Sequence, residues 1–365
     1  MQTTRLTGGY DLGFNTNPKN GRVKALSKAC LDRTYFGSKI LGEPVRCLKG
    51  LSVTALDHRI EFVMKRFYSV SDFYKNKFGC KVYKISLDAG CTCPNRDGTK
   101  SFGGCIFCSG SGSGDFAADK NLSIAEQIIQ AKQRVLSKNK DGKFIAYFQN
   151  FSNTYGNPSE LSQKYNEAIA QEDVVGISIA TRPDCLNDEI LNEIAELVNK
   201  TFVSIELGFQ TSKTESIEYI RRFFSNEEYL LAVKKIKNIS EKIHVVTHLI
   251  FGLPNETEQD MLNSVKFVVA AKSDGIKIAL LHVLEGTDLA IDYKNNAFSC
   301  LEMEEYFKIL GKALKIIPKD VVIHRLTGDG PKKILIAPLW TGQKKVVYNA
   351  MNKYFDEINL LQGSD

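Results

Sequence analysis

From about residue 64 onward, short apolar runs alternate with longer segments whose apolar residues recur every three or four positions. The short runs predict strands at 81–87, 144–149, 176–181, 202–209, 244–251 and 276–283. The periodic segments predict helices at 123–138, 159–171, 187–199, 226–239, 257–272 and 302–316. Strand followed by helix, repeated six times, is the pattern of a parallel sheet, because parallel neighbours need a crossover that a helix supplies. Ser123 and Glu126 can cap one helix reciprocally, and Pro254-Asn-Glu-Thr257 leads into another.

Side-chain parity separates the two architectures that such units build. Within 203–210, Val203, Ile205, Leu207 and Phe209 share one face, while Ser204, Glu206, Gly208 and Gln210 share the other. Along 176–182, Ile177 and Ile179 oppose Gly176, Ser178, Ala180 and Arg182. A doubly wound sheet buries both faces under helices and reads as uniformly apolar. An apolar face toward helices and a small, polar face opposite describe instead a barrel strand lining a ligand cavity. The pattern predicts an α/β chain with a partial (β/α)6 barrel of the TIM type over 64–317. A C-terminal tail, 318–365, is expected to pack on that barrel. Residues 1–63 show neither period and read as a basic, disordered extension that need not belong to the working protein.

Composition narrows the classes further. At 365 residues, 43% hydrophobic and 25% charged, the chain is ordinary for a globular protein, which excludes a fibrous or wholly disordered one. No apolar run has the roughly 18 residues a membrane span needs, and the first residues show no secretory signal. A cytoplasmic protein without membrane partners is expected. The net charge of +6 comes almost entirely from 1–63, whose ten basic residues face five acidic ones; the rest holds 38 against 37. Bulk electrostatics therefore gives only a weak case for a nucleic-acid partner.

Chemistry concentrates in the cysteines. Four of the nine, Cys91, Cys93, Cys105 and Cys108, fall within 18 residues, which in an intracellular chain suggests metal or redox chemistry rather than disulfides. The glycine-rich loop from Cys93 to Cys108 follows the first predicted strand at its C-terminal end, where barrel enzymes place their sites. Three thiolates there can ligate three irons of a cubane cluster and leave the fourth iron open. Spacing alone also permits a zinc site using Cys91 as fourth ligand.

With Phe107 just before its last cysteine, the loop resembles the cluster-binding loop of radical S-adenosylmethionine (SAM) enzymes. SLDAGCTCPNRDGTKSFGGCIFC, GSGDFA, ATRPDCL, ELGFQT, HLIFGLPNET, LLHVLEGTDLA and IHRLTGDGPKKILIAPLW are similar to the YtqA/YhcC group, which is related to the catalytic subunit of Elongator. The resemblance covers about 64–365 and implies one 4Fe–4S cluster held by Cys93, Cys105 and Cys108, with SAM on the open iron. It further implies an electron from a reductant such as flavodoxin or ferredoxin, cleavage of SAM to a 5′-deoxyadenosyl radical, and hydrogen abstraction from substrate.

The same resemblance gives roles to other residues. Arg182 would pair with the SAM carboxylate, unless it is taken by Asp184. Glu206 and Gln210 would meet the ribose or amino group, unless they form an interior network. Gln149 and Asn150 end the second strand, where the amino group is held. Ile250 and Gly252 would floor the adenine pocket, Phe107 would pack beside the cluster, and His248 reads as a satisfied lumen histidine. Two departures stand out: Cys91 replaces the usual Phe, and Phe223 in IRRFF replaces a Gly. Arg325, Lys332, Lys333, Lys344 and Lys345 beside Trp340 suit either a phosphate backbone with a splayed base or a solvated rim. The group's links to the wobble uridine imply tRNA as substrate, with a carboxymethylaminomethyl side chain remodelled towards aminomethyl. Radical chemistry on a metabolite or protein, or a non-catalytic zinc-stabilised RNA-binding module, are the alternatives.

Overall fold

The computed structural model describes residues 65–110, 112, 118–135, 142–328 and 330–365; the expected extension and most of Gly110–Gly114 lie outside the described residues. The described residues begin with α1 (Val70–Phe78), β1 (Val82–Leu87), α2 (Ile124–Val135), β2 (Lys143–Phe148), α3 (Pro158–Ile169) and β3 (Val174–Thr181). They continue through α4 (Asp188–Val198), β4 (Phe202–Gln210), α5 (Thr214–Tyr219), α6 (Asn226–Ile239), β5 (His244–Phe251), α7 (Glu258–Ala270) and β6 (Gly275–Leu280). They end with β7 (Val283–Leu284), α8 (Asp288–Lys294), α9 (Met303–Ile316), β8 (Val322–Arg325), β9 (Leu335–Ala337) and α10 (Lys344–Glu357).

Seven strands form one parallel sheet in the order β1-β2-β3-β4-β5-β6-β8, a curled half-barrel with helices outside. The expected α/β partial barrel is therefore the fold, but with seven strands instead of six. Val322–Arg325 is four residues long, too short to reveal a period, and falls in the segment read as tail; it pairs with β6 through Gly275↔Val322 and Lys277↔Arg325. The run read as one strand at 276–283 is also two: β6 ends at Leu280, and Val283 pairs antiparallel with Ala337 of β9.

Burial follows the parity. Val203, Ile205, Leu207 and Phe209 are 2% exposed or less and face the helices. There Phe209 stacks on Phe267 of α7 at 5.3 Å between ring centres. Each such side chain stabilises the fold by about 1.5–3 kcal/mol relative to exposure. Helix starts are fixed by side chains where turn residues meet the first turn. Ser225 with Glu228 and Thr257 with Asp260 form reciprocal capping boxes on α6 and α7. Ser123 and Glu126 exchange the same bonds ahead of α2, at 2.8 and 3.3 Å. Each cap contributes about 1 kcal/mol. A second apolar cluster, with Ile106, Ile220, Leu253, Leu281 and Leu289, lies behind the cysteine loop and anchors it.

Candidate active site

The cysteine loop is built by its backbone. The Cys93 carbonyl accepts the amides of Arg96 (2.8 Å) and Asp97 (3.3 Å), and the Cys105 carbonyl accepts that of Cys108 (2.9 Å). Buried Ile106 bonds through its amide to the Ile220 carbonyl (3.3 Å) and through its carbonyl to the Leu289 amide (3.1 Å). The intervening sequence thus drives an apolar residue inward and turns its neighbouring thiols to the other side. Arg96 clasps the carbonyls of Cys108 (3.1 Å) and Ser109. It can do so because Gly104, at φ +89°, has no Cβ; one placed there would lie 2.8 Å from the Arg96 Nε. Asn95 donates to Cys105 Sγ (3.5 Å) and to the Arg221 carbonyl (2.8 Å).

Cys93, Cys105 and Cys108 line one cavity of about 280 Å³, whose other walls are lumen-facing strand residues and the loops that follow the strands. Phe107, Gln149, Arg182, Glu206, Gln210 and Ile250 all reach it. A second cavity, of about 430 Å³, shares Phe107, Cys108, Gln149, Ile250 and Arg325 with the first. A further cavity of about 380 Å³ lies at α10, beside Trp340, Thr341 and Tyr348, and carries no thiol.

Not every expected residue faces the lumen. Asn150 is buried outside both cavities, where its amide donates to Asp88 Oδ2 (2.6 Å). Successive side chains at a strand end point opposite ways, so Gln149 and Asn150 cannot both face inward. Gln149 does, and accepts from Ser86 Oγ at 2.9 Å. Cys91 packs against the main core, away from the other three thiols, and burial pushes its thiol to about 11. Arg325, grouped by sequence with the tail lysines, lines both cavities from the end of β8. Lys332, Lys333, Lys344 and Lys345 are exposed.

Two lumen residues are already engaged. Arg182 forks onto Asp184 (2.9 and 2.7 Å) and donates to the Arg222 carbonyl (2.9 Å). Asp184 also pairs with Lys100 at 2.7 Å. Fully buried Glu206 accepts from Ser178 Oγ (2.8 Å), Tyr147 OH (2.9 Å), His248 Nε2 (2.6 Å) and Lys277 Nζ (3.2 Å), and pairs with Lys84. Five partners saturate a carboxylate, so Glu206 sits in the interior network rather than free for a ligand. The surrounding cations hold it well below the usual carboxylate range despite burial. Burial first, then the neighbouring Lys277, lowers His248 to about 4, so its imidazole is neutral.

The residues that sequence reasoning missed are Lys84, Tyr147, Lys277 and Arg222. A signal existed for the two lysines, each a lone charge at lumen parity within an apolar strand, VYKISL and GIKIAL. Arg222 is 1% exposed and gives its guanidinium to four oxygens, including the carbonyls of Phe209 (2.8 Å) and Thr211 (2.7 Å). Beside it, Phe223 takes φ +56°, the backbone for which glycine is suited, and a Lys100 Nζ bond of 2.9 Å to its carbonyl holds the turn.

The donor set fits an iron–sulfur cluster: soft sulfur of three cysteines lines one wall, while Glu206 and His248 of the same cavity are bonded to each other. Among the described residues no three His, Cys, Asp or Glu side chains converge as a ready single-ion site. Burial, with Cys108 beside it, pushes the Cys105 thiol up to about 12, so only a bound metal would hold it as thiolate.

Comparison with known proteins agrees. The Radical SAM superfamily model matches residues 93–268, and the Radical SAM C-terminal domain matches 273–357. YtqA of Bacillus subtilis is 41% identical over 299 residues, 82% of this chain and 92% of its own. A tRNA uridine(34) acetyltransferase of Methanocaldococcus jannaschii is 30% identical over 203 residues, 53% of this chain and 36% of its own. Among solved structures, an archaeal Elp3 of Methanocaldococcus infernus aligns with a TM-score of 0.57 at 19% identity, over 77% of this chain and 64% of that one, a likeness of fold. The half-barrel and its thiol-lined cavity are those of a radical SAM enzyme, whose cofactors are a 4Fe–4S cluster and SAM. Within that superfamily the chain belongs to the YtqA/YhcC group.

Proposed function

We propose that this enzyme modifies tRNA at the wobble uridine, remodelling a carboxymethylaminomethyl side chain towards aminomethyl, with Cys93, Cys105 and Cys108 as the cluster ligands. The observation that carries the reading is the pair of joined cavities, one walled by the three thiols and one beyond it with room for a second molecule. A splayed base can enter such a space, whereas a duplex cannot. Similarity to an enzyme named for tRNA uridine 34 supports the substrate class. The exposed Lys332, Lys333, Lys344 and Lys345 supply cations for a phosphate backbone.

Bound at the thiols, the cluster with SAM would supply a 5′-deoxyadenosyl radical. The chain's own residues hold and shield. Asn95 and Arg96 fix the thiol loop. Gln149 and Gln210 present amides to the cavity, suited to an amino group or ribose, and Ile250 and Phe107 give it apolar walls. Arg182, already forked onto Asp184, retains its place on that wall. Strand walls packed on the core keep bulk water from a reactive intermediate. The electron would come from a small carrier protein such as flavodoxin or ferredoxin.

The test is anaerobic reconstitution with iron and sulfide, then incubation with SAM, reductant and tRNA bearing carboxymethylaminomethyluridine. The expected result is aminomethyluridine in the digested tRNA together with 5′-deoxyadenosine, both lost in a Cys93→Ala, Cys105→Ala, Cys108→Ala variant. Deoxyadenosine formed while the tRNA stays unchanged would remove RNA as substrate and point to a metabolite or protein.

A further inference from the structure

Among the described residues, positive charge in the lumen exceeds what the acids balance. Among the described residues, Glu206 is the only Asp or Glu lining either cavity. Most of the cations facing them are spoken for. Arg96 is held by loop carbonyls, Arg182 by Asp184, Arg222 by four oxygens, and Lys277 by Glu206 and Tyr147. Arg325 differs. It ends β8 half-buried, level with Lys277 across the strand pair, and makes no hydrogen bond or ion pair among the described residues. Among the described residues it is also the one Lys or Arg that lines both cavities.

A half-buried guanidinium without a counterion is unfavourable unless an anion arrives with a ligand. We propose that Arg325, assisted by Lys277, binds a carboxylate carried by the substrate where the thiol-lined cavity meets the second one. The guanidinium fork matches a carboxylate in two parallel bonds. The position also selects the source of the anion. Arg325 stands on the barrel wall inside cavities of about 280 and 430 Å³. A polynucleotide backbone remains at the mouth, whereas the end of a side chain on one inserted base can reach the wall. Lys277 fits the same picture. Burial, with the charges of Arg325 and Lys84 opposing Glu206, brings it down to about 8, a strain that a bound carboxylate would relieve.

The inference rests on the tRNA reading only for the identity of the carboxylate, that of a carboxymethylaminomethyl group, and the experiment keeps the two apart. The reconstituted enzyme is assayed with tRNA bearing that side chain as free acid and as methyl ester. The parent should favour the acid by about tenfold in KM. Arg325→Gln should raise KM for the acid about tenfold and erase the preference, with a smaller change in KM for SAM, and Arg325→Lys should restore part of it. A preference retained by Arg325→Gln, or a larger loss for SAM than for tRNA, overturns the assignment. If the parent turns over neither tRNA, the tRNA reading falls and lysine labelling decides. N-Methylglycine, but not its amide, should then slow acetylation of Lys277 by acetic anhydride, read by mass spectrometry, in the parent and not in Arg325→Gln. Equal shielding by both probes, or none, removes the carboxylate site.

Discussion

Glu206 concentrates the electrostatics of the lumen in one residue. It is fully buried and holds Lys84, Lys277 and His248 together, with Tyr147 placed between the two lysines, 4.8 and 5.2 Å from its ring centre. Removing one member of a buried ion pair leaves the other charge uncompensated, at a cost of roughly 3–5 kcal/mol. Glu206→Gln is therefore expected to destabilise the protein by about that amount in urea unfolding, while Lys332→Gln, on the surface, should change little. A loss below about 1 kcal/mol, the usual value of an exposed pair, would mean that water reaches the network and that the lumen floor is not dry. At this scale the site was partly legible. Cysteine spacing marked the loop, and strand parity marked Glu206 and Gln210 as lumen residues. Parity cannot say who pairs with whom across 122 residues of sequence, as Lys84 does with Glu206. Nor did Val322–Arg325 carry enough residues to show that Arg325 belongs to the wall.

At the scale of elements, the N-terminal end of the sheet is closed by a histidine pair. His244 opens β5 and His324 lies on β8; their Nε2 atoms are 2.9 Å apart, and Phe73 of α1 stacks on His244 at 4.6 Å. Lys84 and Lys237 push against His244 while Asp274 and Glu206 draw the other way, but burial dominates and holds it to about 4. His324 is lowered well below the usual value by burial, then by Lys84 and His244. An imidazole in the unfolded chain takes its proton near 6.5. Between that pH and about 4 the unfolded state binds protons that the native pair, and His248 with it, refuse. Stability is thus fully present above about 6.5 and falls as the pH drops, by up to about 1.4 kcal/mol per unit for each histidine. Urea midpoints should be level from pH 8 to 7 and decline from 6.5 to 5; a level profile across that range would show the pair accepting a proton in place. The repeating strands and helices of the barrel were well forecast, while α1, α5, α8, α10, β8 and β9 were not foreseen. Six strands and six helices fall within a few residues of the expected bounds, because each helix lays one apolar stripe on the sheet and each strand turns one apolar face to it. Periodicity also could not supply the division of 276–283. The break depends on β7 pairing with β9, some 50 residues later.

For the whole molecule, charge distribution decides how a large polyanion would be met. The net charge of the described barrel is small, so attraction must come from local placement rather than from the overall field. Lys332 and Lys333 precede β9, and Lys344 and Lys345 open α10; all four are exposed, and Lys344 and Lys345 line the cavity beside Trp340 together with exposed Tyr348. Pro331 lines the cavity that Arg325 shares, so Lys332 and Lys333 directly follow a residue of that cavity's wall. Each phosphate they neutralise should release about 0.7–0.9 of a counterion. Replacing all four by Gln should weaken binding of unmodified tRNA and lower the slope of log affinity against log salt by roughly 3, with SAM cleavage in the absence of RNA retained. The measurement is tRNA binding at several salt concentrations between about 50 and 200 mM, where a contact of this size is most visible. An unchanged slope would place the phosphate contacts elsewhere on the molecule and leave α10 as packing for α9 alone. A slope reduced by about one would assign a single lysine, which individual Lys→Gln variants would then identify.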